Sequence, residues 1–197
     1  MKVSEKDKFL WLGNWPALDF VNTEIVHDAK TIELLASEED FAHWLVQSKL
    51  IKAAQTPSEV LAKALRLARS FRQELRSGLQ ELIRNGRIPR SLMDSVNRLL
   101  QRHAIRFDLQ EKGRQFRLNT DWVLRDPEDL CAPIALSFAQ LLTTADIRRI
   151  RRCKNPECVL YFYDTSKSGT RSWCSLDICG NKLRAAAYRQ RQSHGST

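Results

Sequence analysis

The spacing of apolar residues along this chain switches between two periods. Ser37-Glu-Glu-Asp40 is an N-terminal capping box, opening a helix with Phe41, Trp44, Leu45 and Leu50 on its inner face. Thr56-Pro57-Ser58-Glu59 is a second start signal, with Pro57 at the first helical position. Leu61, Leu65, Ala68, Phe71, Leu75, Leu79 and Leu82 then step by threes and fours down one stripe, which Asn85-Gly86 ends. Arg66, Arg69, Arg72 and Arg76 fall on the opposite side and read as a solvated face. Pro89 starts a further helix with Leu92, Val96 and Leu99 inward. The period then drops to two. Ile105, Phe107 and Leu109, then Phe116, Leu118 and Trp122, alternate with polar residues around Glu111-Lys112-Gly113, which predicts a β-hairpin over 104–110 and 114–123. Asp126-Pro127-Glu128-Asp129 returns the chain to helix, with Leu130, Ile134, Phe138 and Leu141 on one side and Pro133 placed to bend it. Cys131 shares that side as a small buried apolar residue. Thr143 to Asp146 reads as a helix restart that turns Ile147 and Ile150 inward and Arg148, Arg149, Arg151 and Arg152 outward.

The front of the chain, residues 9–26, is rich in aromatic and apolar groups. Gly13 and Pro16 divide it into a lead-in and a short helix, and Trp11, Trp15 and Phe20 read as core anchors. The fold class expected is therefore α+β, mainly α. A helical N-terminal domain with a β-hairpin covers 1–144, and a small treble-clef-like module covers 145–197. At 197 residues, 43% hydrophobic and 28% charged, the chain has the make-up of a soluble folded protein. No apolar run approaches the ~20 residues that span a bilayer. The charged start, Met1 to Asp7, lacks the core of a signal peptide. Both points lead to an expectation of a cytoplasmic protein without a membrane partner.

Charge changes the picture of the last quarter. The net charge is +9, yet residues 145–197 alone carry eleven Lys and Arg against four acids. A positive field so localised attracts polyanions, of which phosphate backbones are the commonest.

Cysteine is concentrated in the same place. Cys153-x4-Cys158 and Cys174-x4-Cys179 are separated by fifteen residues, Val159 to Trp173. Paired cysteines a few residues apart can reach one ion from a tight turn, and Lys154-Asn155-Pro156-Glu157 supplies such a turn. The spacer suits a short hairpin: Val159 to Tyr163 goes out, Ser166 to Gly169 turns, and Arg171 to Trp173 returns. The second pair then opens a helix from about Ile178 to Arg191. Four thiolates close a tetrahedron around zinc and leave no open position, so Zn2+ is expected as a structural ion held by Cys153, Cys158, Cys174 and Cys179. Disulfides and an iron–sulfur cluster are the weaker alternatives.

The basic helix after Cys179 is slim, with three alanines, and could enter a major groove. Arg184, Tyr188 and Arg191 share one face, and Lys182 and Arg189 extend its charge. Together with Arg151, Arg152, Lys167, Arg171 and Asn181 they are the candidate nucleic-acid contacts, most of them to phosphates. Asn181 could instead orient a thiolate.

At these residues the sequence resembles a known family. Arg152-Cys-Lys-Asn-Pro-Glu-Cys158, Tyr161-Phe-Tyr-Asp-Thr-Ser-Lys167, Arg171-Ser-Trp-Cys174 and Cys179-Gly-Asn-Lys182 are similar to the CGNR zinc-finger proteins, with Lys182 where the signature has arginine. Leu18 to Thr23, Leu34 to Leu45 and Leu141 to Cys153 resemble that family's N-terminal ABATE domain. The resemblance implies a structural zinc and a stress-related transcription regulator, with a sensing or dimerising N-terminal domain. The function expected is a zinc-dependent DNA-binding regulator. Binding to RNA or the ribosome, or protein interaction through a zinc-held surface, are the alternatives. A homodimer and a small ligand on the N-terminal domain complete the partners considered. His27, His43, His103 and His194 are scattered, and no glycine-rich phosphate loop occurs, so an enzyme is not expected.

Overall fold

The computed structural model describes residues 8–52, 57–101 and 105–181. Its elements in order are α1 (Pro16–Val21), β1 (Glu24–His27), β2 (Lys30–Glu33), α2 (Glu38–Gln47), α3 (Ser58–Asn85), α4 (Arg90–Gln101), β3 (Ile105–Lys112), β4 (Gln115–Trp122), α5 (Pro127–Thr144), β5 (Ile150–Arg152) and β6 (Tyr161–Tyr163). A 3-10 turn, Ile147–Arg149, precedes β5, and a π turn, Leu176–Gly180, follows β6. The chain is thus α+β and mainly α. In space it forms two compact units, one of residues 35–145 and one joining 1–34 to 146–197.

The 35–145 unit is a helical core. Phe41, Trp44 and Leu45 of α2, Leu65, Phe71, Leu75 and Leu79 of α3, Leu92, Val96 and Leu99 of α4, and Leu130, Ile134, Phe138 and Leu141 of α5 are all buried. These are the residues that the 3.6-residue period predicts. The expected box starts α2: Asp40 N–H donates to Ser37 Oγ at 3.3 Å and Ser37 N–H donates to Asp40 Oδ2 at 2.9 Å. Gly86, at φ 69°, ends α3 by donating its N–H to the Leu82 carbonyl at 2.8 Å. Pro57 stands at the N-cap of α3, one place earlier than expected, and Thr56 lies outside the described residues. Pro133 sits inside a continuous α5.

Two expectations about this unit are corrected, and one is extended. The arginine side of α3 is not uniformly solvated. Arg72 is buried, and Arg69 donates through Nε to the Leu35 carbonyl and through Nη2 to that of Ala36, each at 3.2 Å. A guanidinium can leave the helix surface because its fork satisfies neighbouring carbonyls while its stem packs. Leu50 is only half-buried, after Lys49 leaves helical geometry at φ 61°. The β3–β4 hairpin forms in the expected place, pairing Leu109 with Leu118, but its apolar face is open: Phe107, Leu109, Phe116 and Leu118 are all exposed.

In the other unit, β6 is the centre. On one side it pairs antiparallel with β5, Arg151 opposite Phe162. On the other side the front of the chain takes the place of a strand. Asn22 Nδ2 donates to the Tyr161 carbonyl at 2.8 Å, and Tyr161 N–H donates to Asn22 Oδ1 at 2.9 Å. Tyr163 N–H donates to the Gly13 carbonyl at 2.9 Å. Gly13 is needed here, because a Cβ would stand 2.7 Å from Leu18 Cβ and 2.8 Å from Asp19 N. Its N–H donates to Asp19 Oδ1 at 2.7 Å, and burial pushes the Asp19 carboxyl up to about 7 against the pull of that bond. Phe20 is fully buried, whereas Trp11 is 42% exposed and no anchor. The β1–β2 hairpin, with Asp28 and Ala29 at φ 49° and 59°, had no turn glycine to announce it. Among the described residues, no helix is long and apolar enough to cross a membrane.

Candidate metal centre and its basic surround

Two turns deliver the four cysteines to one point. In the first, the Asn155 side chain closes the knuckle by accepting from Glu157 N–H at 3.1 Å, and Cys158 N–H donates to the Asn155 carbonyl at 2.9 Å. Cys153 N–H donates to the Leu160 carbonyl at 2.9 Å, so the knuckle hangs from the start of β6. In the second, Ser175 caps the π turn. Its carbonyl accepts from Cys179 and Gly180, each at 3.1 Å, and its hydroxyl from Ile178 N–H at 3.4 Å. Gly180 is buried behind the last cysteine, where a Cβ would meet Leu176 Cδ2 at 3.1 Å and Trp173 Cδ1 at 3.2 Å.

All four sulfurs lie within 4.8 Å of one another, and all four residues are buried. Cys158 and Cys174 sulfurs are 3.8 Å apart and Cys174 and Cys179 3.6 Å. A disulfide needs about 2.05 Å. A tetrahedron with zinc–sulfur arms of about 2.3 Å has edges near 3.8 Å, so the donor set fits a four-thiolate metal site. Two further donors aim at the sulfurs: Asn155 Nδ2 at Cys179 Sγ and Cys174 N–H at Cys153 Sγ, both 3.4 Å. Such bonds stabilise thiolate over thiol. The Cys158 and Cys174 side chains donate to Cys153 and pull its thiol down to about 2, while Cys158 goes up to about 12 and Cys174 is also raised. The cluster shares its protons, and a cation bound there must displace them. Cys131 is far from this chemistry in kind: buried in α5, its thiol is pushed up by desolvation and by Glu128.

Residues 14–145 match the family model described as "Putative stress-induced transcription regulator", ABATE, and 149–192 match that of the CGNR zinc finger. The chain belongs to the ABATE family. No curated protein matches it.

The polar frame of this ABATE protein's finger uses several arginines that the sequence assigns to a binding surface. Asp164 is the hub. It is buried, and its Oδ1 accepts from Ser166 N–H at 2.9 Å and Ser166 Oγ at 2.6 Å. Its Oδ2 accepts from Arg171 N–H at 2.8 Å and faces Arg151 Nε at 3.3 Å. Burial works to raise this carboxyl, but the Ser166 and Arg171 bonds and the Arg151 charge together hold it below the usual carboxylate range. Arg149 donates to the carbonyls of Asp164 at 3.1 Å and Ser166 at 2.8 Å. Arg171 lies 4.6 Å over the Phe162 ring, donates to the Trp173 carbonyl at 2.8 Å and reaches that of Cys174. Arg151 also donates to the Gly169 carbonyl. Arg151 and Arg171 are thus bound internally, because irregular chain around a metal leaves carbonyls that only long donors can satisfy.

Arg152 and Lys167 remain exposed, as does Lys154, which the sequence did not single out. Arg148 is exposed but paired with Asp146, its Nε 2.9 Å from Oδ1. Asn181 does not orient a sulfur; its backbone N–H caps the Leu176 carbonyl, and Asn155 has the sulfur contact instead. Lys182, Arg184, Tyr188, Arg189 and Arg191 lie outside the described residues. Ile150 is buried as expected, but Ile147 is exposed, because the restart is a single 3-10 turn that runs into β5. The expected return strand, Arg171 to Trp173, does not pair with β6. It is tied to the knuckle instead, the Ser172 carbonyl accepting from Lys154 N–H at 2.9 Å. Asp164 and Asn155 were missed as organising residues; their signal is the Asp-Thr-Ser and Asn-Pro-Glu turn chemistry.

Proposed function

We propose that Cys153, Cys158, Cys174 and Cys179 hold one structural zinc ion, and that the module they shape binds duplex DNA as part of a transcription regulator. The observation that carries this reading is the excess of Lys and Arg over residues 145–197, on the same module that brings four thiols together. Zinc in four thiolates has no vacant position and supplies shape rather than catalysis, in keeping with a binding module. Asn155 and the Cys174 N–H hold two of the sulfurs, and Asp164 with Arg149, Arg151 and Arg171 holds the loop between the cysteine pairs. The outward charges Arg152, Lys154 and Lys167, with Lys182, Arg184, Arg189 and Arg191 in the sequence that follows, then meet phosphates.

The test is a metal and binding titration of purified protein. One zinc per chain is expected, lost in Cys174→Ser. Duplex affinity should fall steeply with salt. Joint replacement of Arg152, Lys154 and Lys167 by alanine should flatten the slope by about one unit for each phosphate left without its cation, with the metal retained. Arg184→Ala with Arg189→Ala should weaken binding likewise. Metal-free protein with an intact fold, or salt-independent duplex binding, would overturn the proposal. Tighter binding to structured RNA than to duplex would redirect it to RNA.

A further inference from the structure

The β3–β4 hairpin presents a surface that no described residue of its own unit covers. Strand register places Ile105 and Trp122, Phe107 and Thr120, Leu109 and Leu118, and Glu111 and Phe116 opposite one another on one face. The other face carries Arg106, Asp108, Gln110, Lys112, Gln115, Arg117, Asn119 and Asp121. The second set is a solvated face of mixed charge. The first is apolar except at Glu111 and Thr120, and its apolar residues are bare: Phe107 is 64% exposed, Leu109 67%, Phe116 72% and Leu118 61%.

An isolated two-stranded ribbon is at best marginally stable in water and needs a third layer on its apolar face. These strands are eight residues each and form a two-stranded sheet by themselves. The occupant must be apolar, about as long as the ribbon, and always present. A nucleic acid fits poorly, because the face offers no lysine or arginine to a phosphate. The basic sequence 182–197 fits poorly too, since Glu111 is the one acid it would meet on that face.

We infer that this face docks on the same face of a second copy of the chain, making a symmetric dimer through a four-stranded, two-layer stack. A two-fold axis crossing the strands lays the Glu111–Phe116 rung of one copy over the Ile105–Trp122 rung of the other. It lays the Leu109–Leu118 rung over the Phe107–Thr120 rung. Each exposed phenylalanine then meets an apolar rung, and both copies bury the same patch, as an isologous contact requires. The four exposed side chains offer roughly 500 Å² per copy, so a pair buries about 1,000 Å² before the half-buried ends and the rim are added. That reaches the size at which specific dimers begin, and it is near the upper end for a bare patch on a monomer. The inference does not depend on what the cysteine module binds.

The test uses the full metal-loaded chain in sedimentation equilibrium. A dimer is expected, and amide exchange across 105–122 should slow as concentration rises. Phe107→Lys and Phe116→Lys put a charge into the stack, the second opposite Glu111 so that the hairpin keeps a cross-strand pair. Each should raise the dimer dissociation constant at least about 100-fold. Leu118→Thr keeps strand propensity and removes little else, so it carries the test if either lysine variant loses its circular dichroism; about a tenfold rise is expected of it. Asn119→Lys, on the opposite face, should leave the dimer unchanged. A monomer at about 100 µM would overturn the inference, whether its hairpin amides exchange freely or are covered by another part of the same chain. So would a dimer indifferent to all three apolar-face variants.

Discussion

Asp19 has an environment that separates its two protonation states. In the unfolded chain it ionises near 3.8, but in the fold burial keeps the proton on until about 7. Between these values the unfolded state binds fewer protons than the native one. Stability therefore falls as pH rises through that window, by up to about 4 kcal/mol, and no further above it. Asp19→Asn keeps an oxygen to accept from Gly13 N–H and cannot ionise. Relative to the parent it should raise stability by about 1–2 kcal/mol at about pH 5, where part of the loss has already occurred, and by about 4 kcal/mol at about pH 8. Urea unfolding of both proteins at the two pH values, with metal present throughout, reads the difference; an equal response to pH in the two would refute the assignment. Asp164 shifts in the opposite direction, because the Ser166 hydroxyl and N–H, the Arg171 N–H and the Arg151 charge outweigh its desolvation, whereas desolvation dominates at Asp19.

Helix ends and turn residues do their work one element at a time. Asp129 in the first turn of α5 accepts from Arg125 N–H at 2.7 Å and Asp126 N–H at 2.9 Å, and it is nearly buried. Asp129→Ala removes the acceptor for both, and a loss of about 1–2 kcal/mol is expected. A urea midpoint moved down with an unchanged m-value would show it; a change under about 0.3 kcal/mol would mean that water replaces the carboxylate. The helices were readable for the same reason that this substitution should hurt: caps and 3.6-residue stripes are local, and α2, α3 and α4 follow them. The hairpin shows the limit. Alternation located β3 and β4 correctly, yet could not say that Phe107 and Leu118 would face outward. A period of two states which residues share a face and is silent about what lies against it.

Across the whole molecule, the front of the chain and the cysteine module share one unit, with β6 between them. Asn22, Gly13 and Asn14 all bond to β6 from outside the module's own sequence. Removing the metal should therefore loosen more than the module. Chelation is expected to release amide protection over residues 13–22 and 150–163 together, while α3, α4 and α5 keep theirs. Hydrogen exchange with and without chelator measures this. Loss confined to 150–180, or equal loss in the helices, would contradict the two-unit division.

Spacing along the chain was enough to place the helix stripes and their caps, the β3–β4 hairpin and the four cysteines that could share one ion. A period, a cap or a paired ligand is set within a few residues, so each is written locally. Only the folded arrangement turned Arg151 and Arg171 inward to unpaired carbonyls while Arg152 and Lys167 stayed outside. It also set β6 against β5 and the chain's front rather than against Arg171 to Trp173. Those outcomes hang on which distant carbonyls and strand edges are left unsatisfied once the cysteines converge, and backbone groups many residues apart leave no mark in local periodicity.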